Sequence, residues 1–377
     1  MVPALRRPVS AALSSASGSR ASSSSTTTLS ATALGRENQT CTLPDGRTLG
    51  FAEYGAPDGH PLLYFHGFPS SRLDAFAMDK FAKRHNVRVF GIDRPGFGVS
   101  TRQPGRRVID WPDDVLAFAQ AQHLTRFGVM GGSGGGPYAL ACARKLPPAM
   151  VTGVGLMAGA GPFDGSADAH IPRRSHVAAF LAQHWPWGMR VAIAGIVGAL
   201  RWFAGTSMAQ RWIEGWLENG RKKKREKRLA AAAAAAADRD NKDNKDNKDA
   251  AETIEDPDAY AETIPQTRDR VIRTFFEAFA QGVEPTVQEA YVLSHDWGFA
   301  FEETTYDPIM VWHGDKDANV PLAWIRPMVD RLPHAVLKVY EGKTHFTLIQ
   351  DLEEMVAYFA QKANDGQEAD KTSKPQP

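Results

Sequence analysis

A serine flanked by glycines is the part of the sequence with the clearest chemical meaning. Ser133 is the centre of GGSGG (131–135), a Gly-x-Ser-x-Gly pattern that follows the strand-like run FGVM and precedes a helical pattern over 137–145. A nucleophile on such a strand-to-helix turn adopts strained backbone angles, and its neighbours must be small because Cβ atoms would collide there. The pattern predicts that Ser133 is a nucleophile and that Gly131 and Gly135 are the elbow glycines.

A glycine-rich loop before a helix is also typical of phosphate sites. The residues that follow GGSGG are Gly136 and Pro137, so the sequence lacks the Lys-Ser/Thr of a phosphate-binding loop, and it lacks the Gly-x-Gly-x-x-Gly of a dinucleotide site. The amino end of a helix carries partial positive charge and free amides, which stabilise a developing oxyanion. The nucleophile interpretation is therefore favoured.

A serine hydroxyl needs a histidine base that is itself oriented by a carboxylate. Two loops downstream supply these groups: HGDKDANVP (313–321) follows the apolar run PIMVW, and EGKTHF (341–346) follows AVLKVY. The carboxyl ends of parallel strands meet at one edge of a sheet, where ligands and catalytic groups lie. The chain order predicts His345 as the base and Asp317 as the acid, with Asp315 as an alternative acid.

The elements that position these residues alternate between strand-like and helix-like stretches, which is typical of an α/β fold with a mostly parallel sheet and helices on both faces. Asp45-Gly46 predicts a hairpin near the start. Short apolar runs predict buried strands at 61–65, 87–91, 127–130, 151–157, 308–312 and 335–340. Helical patterns cover 73–85, 111–123, 137–145, 321–332 and 347–362.

The stretch 162–306 interrupts this alternation and is interpreted as an inserted helical cap. It is rich in tryptophan, at Trp185, Trp187, Trp202, Trp212 and Trp216. Within it, 187–204 is apolar except for two arginines, and its uninterrupted core is shorter than the roughly 20 residues that span a bilayer. We expect a buried or substrate-lining helix there, with weak membrane contact through the cap as the alternative.

A low-complexity insert lies inside the cap at 221–256. It contains a basic run (221–228), an alanine tract (230–237) and the repeat NKDNKDNKD (241–249). Alanine favours a solvated helix, whereas the polar triplets have nothing with which to pack. The insert is interpreted as a mobile surface loop, and the alternative for its basic run is a nuclear signal or a lipid-binding patch.

The two ends of the chain differ from the rest in composition. Residues 1–39 are rich in Ser, Ala, Thr and Arg and contain no acidic residue before Glu37, which is typical of an organelle transit peptide. This predicts a disordered presequence and a mitochondrial location, with a plain tail and a cytoplasmic location as the alternative. Residues 364–377 are expected to be a disordered tail.

Composition limits the partners. The 377 residues carry a net charge of +1, so no global field favours nucleic acid. Cys41 and Cys142 are too few for a disulfide framework and lack the spacing of a zinc site. We expect a small-molecule substrate and no metal or cofactor, and the sequence leaves the oligomeric state open.

Five motifs in order resemble the α/β-hydrolase fold superfamily of esterases and lipases. They are HGFP (66–69), DRPGFGVS (93–100), GGSGG (131–135), HGDKDANVP (313–321) and GKTHF (342–346). The resemblance implies an α/β-hydrolase fold whose core consists of 40–161 and 307–363, separated by the cap.

The resemblance also implies roles for individual residues. It gives Ser133 as nucleophile, Asp317 as orienting acid and His345 as base, and it places the oxyanion hole at the amides of Phe68 and Gly134. Some relatives have the acid after the sixth strand, where Asp164 lies in this chain. His66, beside the oxyanion loop, is expected to brace it by hydrogen bonding.

The serine at the elbow distinguishes the chain from haloalkane dehalogenases and epoxide hydrolases, which resemble it but use aspartate there. The resemblance implies hydrolysis of a small apolar acyl ester through an acyl-enzyme. Alternatives on the same residues are amide, thioester or carbon–carbon bond hydrolysis and cofactor-free perhydrolysis. A small-molecule receptor or scaffold with the same fold is the alternative from another class.

Overall fold

The computed structural model describes residues 35–240 and 262–372, and an eight-stranded sheet forms the centre of this part of the chain. The strands are β1 (Gln39–Thr42), β2 (Thr48–Gly55), β3 (His60–Phe65), β4 (Val87–Ile92), β5 (Phe127–Gly132), β6 (Val151–Met157), β7 (Ile309–Gly314) and β8 (Ala335–Tyr340).

The sheet has the order β1-β2-β4-β3-β5-β6-β7-β8. β2 pairs antiparallel with both of its neighbours, and all pairs from β4 to β8 are parallel. The predicted hairpin joins β1 to β2, and Gly46 has φ +84° in its turn, a region that glycine adopts without a steric penalty. The mostly parallel sheet brings the carboxyl ends of β3, β5, β6, β7 and β8 to one edge.

Ten α-helices follow β1 in the described residues. They are α1 (Asp79–Arg84), α2 (Trp111–Ala121), α3 (Gly136–Lys145), α4 (Arg173–His184), α5 (Pro186–Ala204), α6 (Ser207–Asp240), α7 (Ile264–Glu277), α8 (Glu284–Leu293), α9 (Leu322–Arg331) and α10 (Leu352–Thr372). Short 3₁₀ segments lie between several of them.

Helices cover both faces of the sheet. Side chains of α2, α3 and α9 pack with Phe65, Phe90 and Val154 in one apolar core, and α1 and α10 close a second core around Leu62, Val89 and other strand residues. Both cores consist of side chains that are almost wholly removed from water. This two-faced burial explains why the parallel strands read as continuous apolar runs rather than as alternating ones.

Helices α4 to α8 lie between β6 and β7, where the sequence predicts the cap. The prediction of a loop for the low-complexity insert is wrong up to Asp240, because α6 continues through the basic run and the alanine tract to that residue. The high helix propensity of alanine accounts for this extension. The polar triplets fall in 241–261, outside the described residues.

The prediction that 187–204 forms a buried helix is wrong for most of α5. Only Gly188, Met189 and Val197 are buried, because the helix contacts the molecule along one face alone. No single helix in the described ranges has the length and apolarity to cross a membrane. Together, α5 and the start of α6 are long and apolar enough, but the two helices are bent by 81° relative to each other.

Only parts of the two terminal segments for which disorder is predicted, 1–39 and 364–377, lie in the described residues. The predicted presequence, 1–39, lies outside the described residues up to 34, and the expectation of disorder is wrong for its last residues, because 35–37 are helical and β1 begins at Gln39. At the other end α10 continues to Thr372, so the expectation of a disordered tail from 364 is wrong over that stretch. The sequence there, NDGQEADKT, contains only one glycine among residues that a helix tolerates.

Candidate active site

Ser133 lies at the turn between β5 and α3. Its φ is +51°, a left-handed conformation that is strained for a residue with a side chain. A Cβ on Gly131 would lie 2.2 Å from the carbonyl oxygen of Gly135, and one on Gly135 would lie 2.0 Å from that of Phe65. The structure therefore places the serine on the sharp turn that the sequence predicts, and it shows why both elbow positions are glycine.

A continuous line of hydrogen bonds joins Ser133, His345 and Asp317. Nε2 of His345 lies 3.0 Å from Oγ of Ser133, and Nδ1 lies 2.7 Å from Oδ2 of Asp317. Because a carboxylate only accepts, Nδ1 carries the proton and Nε2 of the neutral ring is the acceptor for the serine hydroxyl. The three residues that the sequence selects thus meet in the orientation that proton transfer from serine requires.

Asp317 is fixed by more than the histidine. Its Oδ1 accepts hydrogen bonds from the amides of Asn319 and Val320, each at 2.8 Å. Burial opposes ionisation of this carboxyl, but the hydrogen bond from His345 and the amide of Val320 outweigh it, so the pKa of Asp317 lies below its ordinary value. The carboxylate is therefore ionised at neutral pH and gives His345 a negatively charged partner.

The alternative acids lie elsewhere. Asp164 accepts hydrogen bonds from Ser166 and from Nη1 of Arg331, the latter at 2.6 Å, and it is not bonded to His345. Asp315 has Lys316 as its ionic neighbour at 3.2 Å. Among the candidates, the geometry brings only Asp317 to the histidine.

The predicted oxyanion residues Phe68 and Gly134 belong to two backbone segments that meet beside Ser133. A Cβ on Gly134 would lie 2.7 Å from Cβ of Phe68 and 3.4 Å from its amide nitrogen. Gly134 is in the short 3₁₀ segment Ser133–Gly135 that leads into α3. The absence of a side chain at 134 thus permits the close approach of the two segments.

His66 braces the loop that carries Phe68. Its Nδ1 donates to the carbonyl of Gly67 at 2.8 Å, and its Nε2 accepts from the amide of Arg94 at 3.2 Å. Burial, together with the nearby charge of Arg94, holds the pKa of His66 well below its usual range. The ring is therefore neutral at physiological pH, which agrees with the bracing role expected from the sequence.

A buried ionic cluster lies behind this loop, and it was not predicted from the sequence. Glu289 of α8 accepts hydrogen bonds from Nε of Arg94 at 2.9 Å and from Arg106, and Tyr138 donates to it at 3.0 Å. Arg94 also donates to the carbonyls of His66 and Gly67. The presence of Arg94 in the DRPGFGVS motif was the one sequence feature that could have indicated this cluster. Its partner Glu289 lies 195 residues away in the cap, so the pairing is not visible in the local sequence.

Two cavities meet at Ser133 and His345. Cavity A, of about 290 Å³, is lined mainly by apolar side chains from the core and from α4 and α8, including Phe163, Ala179, Leu293, Val320 and Trp324. Arg174, which also lines this cavity, donates to the carbonyl of Ala318 and to Oδ1 of Asn319.

Cavity B, of about 250 Å³, lies on the side of Tyr64 and Asp74. Oδ2 of Asp74 accepts weak hydrogen bonds from the amide of Gly67 at 3.3 Å and from the Tyr64 hydroxyl at 3.4 Å, and burial raises the pKa of Asp74. Among the described residues, no group of three or more His, Cys, Asp or Glu side chains is arranged to bind a metal.

Residues 60–192 match the family model described as alpha/beta hydrolase fold. A non-heme chloroperoxidase from Streptomyces lividans is 34% identical over 110 residues, which are 29% of this chain and 40% of that protein. The match thus spans less than half the length of the curated relative.

Solved structures extend the similarity to most of the chain. A putative aryl esterase from Burkholderia cenocepacia has a TM-score of 0.55 at 16% identity, covering 88% of this chain and 100% of its own. The esterase EaEST from Exiguobacterium antarcticum has a TM-score of 0.54 at 16% identity, covering 86% and 98%. With the sheet order described above, these similarities show that the chain has the α/β-hydrolase fold.

Proposed function

We propose that the protein is a serine hydrolase that cleaves small apolar acyl esters. The observation that carries the proposal is the line of hydrogen bonds from Ser133 through His345 to Asp317, placed where two cavities meet. The esterases among its structural neighbours support the same reaction class.

The reaction begins with attack of Ser133 Oγ on the acyl carbon of the ester. Nε2 of His345 takes the hydroxyl proton, and Asp317 stabilises the imidazolium that forms. The amides of Phe68 and Gly134 donate to the tetrahedral oxyanion. Collapse of the intermediate breaks the bond to the alcohol oxygen, which receives the proton from His345, and leaves an acyl group on Ser133.

The second half of the reaction returns the enzyme to its first state. Water loses a proton to His345 and attacks the acyl carbon from the side that the alcohol has left. The bond to Ser133 Oγ breaks, the serine recovers its proton from His345, and a carboxylic acid leaves. Cavity A, with its apolar lining, accepts the acyl group, and cavity B accepts the alcohol.

Ester turnover tests the proposal directly. We expect the purified protein to hydrolyse p-nitrophenyl esters of short acyl chains many times per molecule and to be labelled by a fluorophosphonate. Ser133→Ala should abolish labelling and lower turnover by about 10⁶-fold. Ser166→Ala, which changes an exposed serine outside both cavities, is the matched control and should retain both.

The same measurement separates the hydrolase from a receptor. A receptor with this fold would release at most one equivalent of p-nitrophenol, whereas a hydrolase continues through many cycles. Undiminished labelling of the Ser133→Ala variant would show that another residue is the nucleophile.

Perhydrolysis is the second candidate, and the similarity to a non-heme chloroperoxidase favours it. Hydrogen peroxide would replace water in the second half of the reaction, so that the acyl-enzyme yields a peracid and free Ser133. Peroxide-dependent halogenation of monochlorodimedone in the presence of a short carboxylic acid measures this activity. It should be lost with ester hydrolysis in the Ser133→Ala variant.

A further inference from the structure

The tryptophans of this chain divide into two groups by exposure. The four outside the cap helices, Trp111, Trp297, Trp312 and Trp324, are between 1% and 4% exposed. The five on and between α4, α5 and α6 are between 57% and 75% exposed: Trp185, Trp187, Trp202, Trp212 and Trp216. Exposure of every tryptophan in one segment, beside burial of every other, indicates a surface that the described part of the chain does not cover.

The exposed side chains lie in stripes along the helices. Trp187, Val191 and Trp202 of α5 are separated by four and eleven residues, which places them on one side of a helix. Met189 and Val197 occupy the opposite side and pack into the cap. These contacts hold α5 to the protein and leave the tryptophan side open, and Ile196, Leu200 and Phe203 in its second half are exposed as well.

The neighbouring helices also expose large apolar side chains. In α6, Met208, Trp212 and Trp216 follow one another at intervals of four and are all more than 60% exposed. In α4, Val177 and Phe180 are exposed as well. We call the exposed apolar side chains of α4, α5 and α6 the cap face, and it is far more apolar than the scattered hydrophobic residues of an ordinary surface.

The same segment is strongly basic. Residues 173–228 contain twelve Lys and Arg against three Glu, a charge of +9 in a chain whose total is +1. Arg173, Arg211, Arg221, Lys222 and Lys223 are exposed within it. The rest of the chain compensates this charge, so the segment stands out as a local positive field.

We propose that the cap face binds the surface of an anionic lipid bilayer. Tryptophan is the side chain that favours the boundary between lipid headgroups and acyl chains, and helices that lie in this boundary combine an apolar side with Lys and Arg. Basic residues beside the apolar side select membranes with negative headgroups. A second copy of the chain fits less well, because a symmetric pairing through this face would bring two charges of +9 together.

The surface lies against one wall of the candidate active site. Helix α4 carries Val177 and Phe180 on the cap face, and its Ala178 and Ala179 line cavity A. A bilayer bound to the cap face would therefore be separated from cavity A by the thickness of one helix. This proximity is what an ester dissolved in the membrane would need in order to reach Ser133.

Vesicle binding tests the proposal with the full chain and without reference to ester turnover, so it fails or succeeds independently of the proposed function. We expect co-sedimentation with vesicles of phosphatidylcholine and phosphatidylserine, weaker binding to phosphatidylcholine alone, and release by high salt. Brominated acyl chains in the anionic vesicles should quench part of the tryptophan fluorescence, since five of the nine tryptophans lie on or beside the cap face.

Two variants locate the contact. Replacing Trp187, Trp202, Trp212 and Trp216 with serine should weaken binding to anionic vesicles by about tenfold or more. The control Val336→Thr with Val339→Thr removes exposed apolar surface from β8, away from the cap, and should bind as the unchanged protein does. Near-ultraviolet circular dichroism establishes that both variants are folded.

Three results would overturn the proposal. The first is absence of vesicle binding and of bromine quenching in the unchanged protein. The second is equal binding to neutral and anionic vesicles, which would exclude recognition of negative headgroups. The third is a dimer in solution that the four serine substitutions dissociate while vesicle binding is absent, which would identify a second copy as the occupant.

Discussion

Oδ2 of Asp317 lies 2.7 Å from Nδ1 of His345, and the other oxygen of the same carboxylate accepts the amides of Asn319 and Val320. Two backbone amides of its own loop thus hold the acid independently of its hydrogen bond to the histidine. This arrangement distinguishes Asp317 sharply from Asp315, two residues earlier in the same loop.

Asp317→Asn should lower kcat for ester hydrolysis by about 10⁴-fold, because an amide in this position favours the wrong tautomer of His345. The matched control is Asp315→Asn in the same loop, for which we expect less than a tenfold change. Steady-state kinetics on a p-nitrophenyl ester measures both. Equal losses in the two variants would reopen the choice of the acid.

Gly134→Ala should lower kcat by about 10²–10³-fold, with a smaller effect on KM. The new Cβ would lie 2.7 Å from Cβ of Phe68, so the two backbone segments must separate and their amides no longer converge on the oxyanion. Gly195→Ala is the control, because open space surrounds that position in α5. Full activity of the Gly134 variant would argue against an oxyanion hole at this place.

Ala179→Phe should change the preference for acyl length. Ala179 lines cavity A, and a phenyl ring there would occupy space that a longer acyl chain needs. We expect turnover of octanoate relative to acetate p-nitrophenyl esters to fall by about 10-fold to 100-fold. Ala194→Phe on exposed α5 should leave the ratio unchanged. A shift confined to the alcohol part of the substrate would instead place the acyl group in cavity B.

Glu289→Gln should destabilise the protein at neutral pH by about 3–5 kcal/mol, because it leaves Arg94 and Arg106 buried without a negative partner. Burial opposes ionisation of Glu289, but the two arginines outweigh it, so its pKa in the folded protein lies below the ordinary value of 4.5. The unfolded chain therefore binds more protons in this range. The stabilisation is complete above pH 4.5 and is lost as the pH falls through the folded pKa.

Urea unfolding of the protein and of this variant at a series of pH values checks the sign. The difference between their free energies of unfolding should be constant from neutral pH down to 4.5 and should shrink below that value. Glu284→Gln, which changes a half-exposed carboxylate on the same helix, is the control. A difference that grows on acidification would contradict the assigned direction of the pKa shift.

Much of the fold could be predicted from local patterns. The apolar runs of β3 to β7 are short and mostly buried, so they could be identified as core strands from their apolar residues, whereas β8 exposes Val336 and Val339. Ser133, Asp317 and His345 were also accessible, because each follows the end of a strand and parallel strands end at a common edge.

Other features depend on contacts that no local pattern contains. The exposure of α5 could not be predicted, because an apolar helix has the same sequence pattern whether or not another surface covers it. The ionic cluster of Glu289 with Arg94 and Arg106 joins the cap to the core across a long stretch of chain. A single buried glutamate in a helical pattern gives no indication of such partners.

The cluster at Glu289 also constrains how new variants of this fold could be built. Helix α8 supplies the negative charge that Arg94 needs, and Arg94 contacts the loop of His66 and Gly67 through their carbonyl oxygens. Exchange of the whole cap for that of another protein would therefore leave two arginine charges unneutralised beneath the site. A chimera that keeps 284–293 with the core and exchanges only the preceding helices would retain the ion pairs of Glu289 with Arg94 and Arg106.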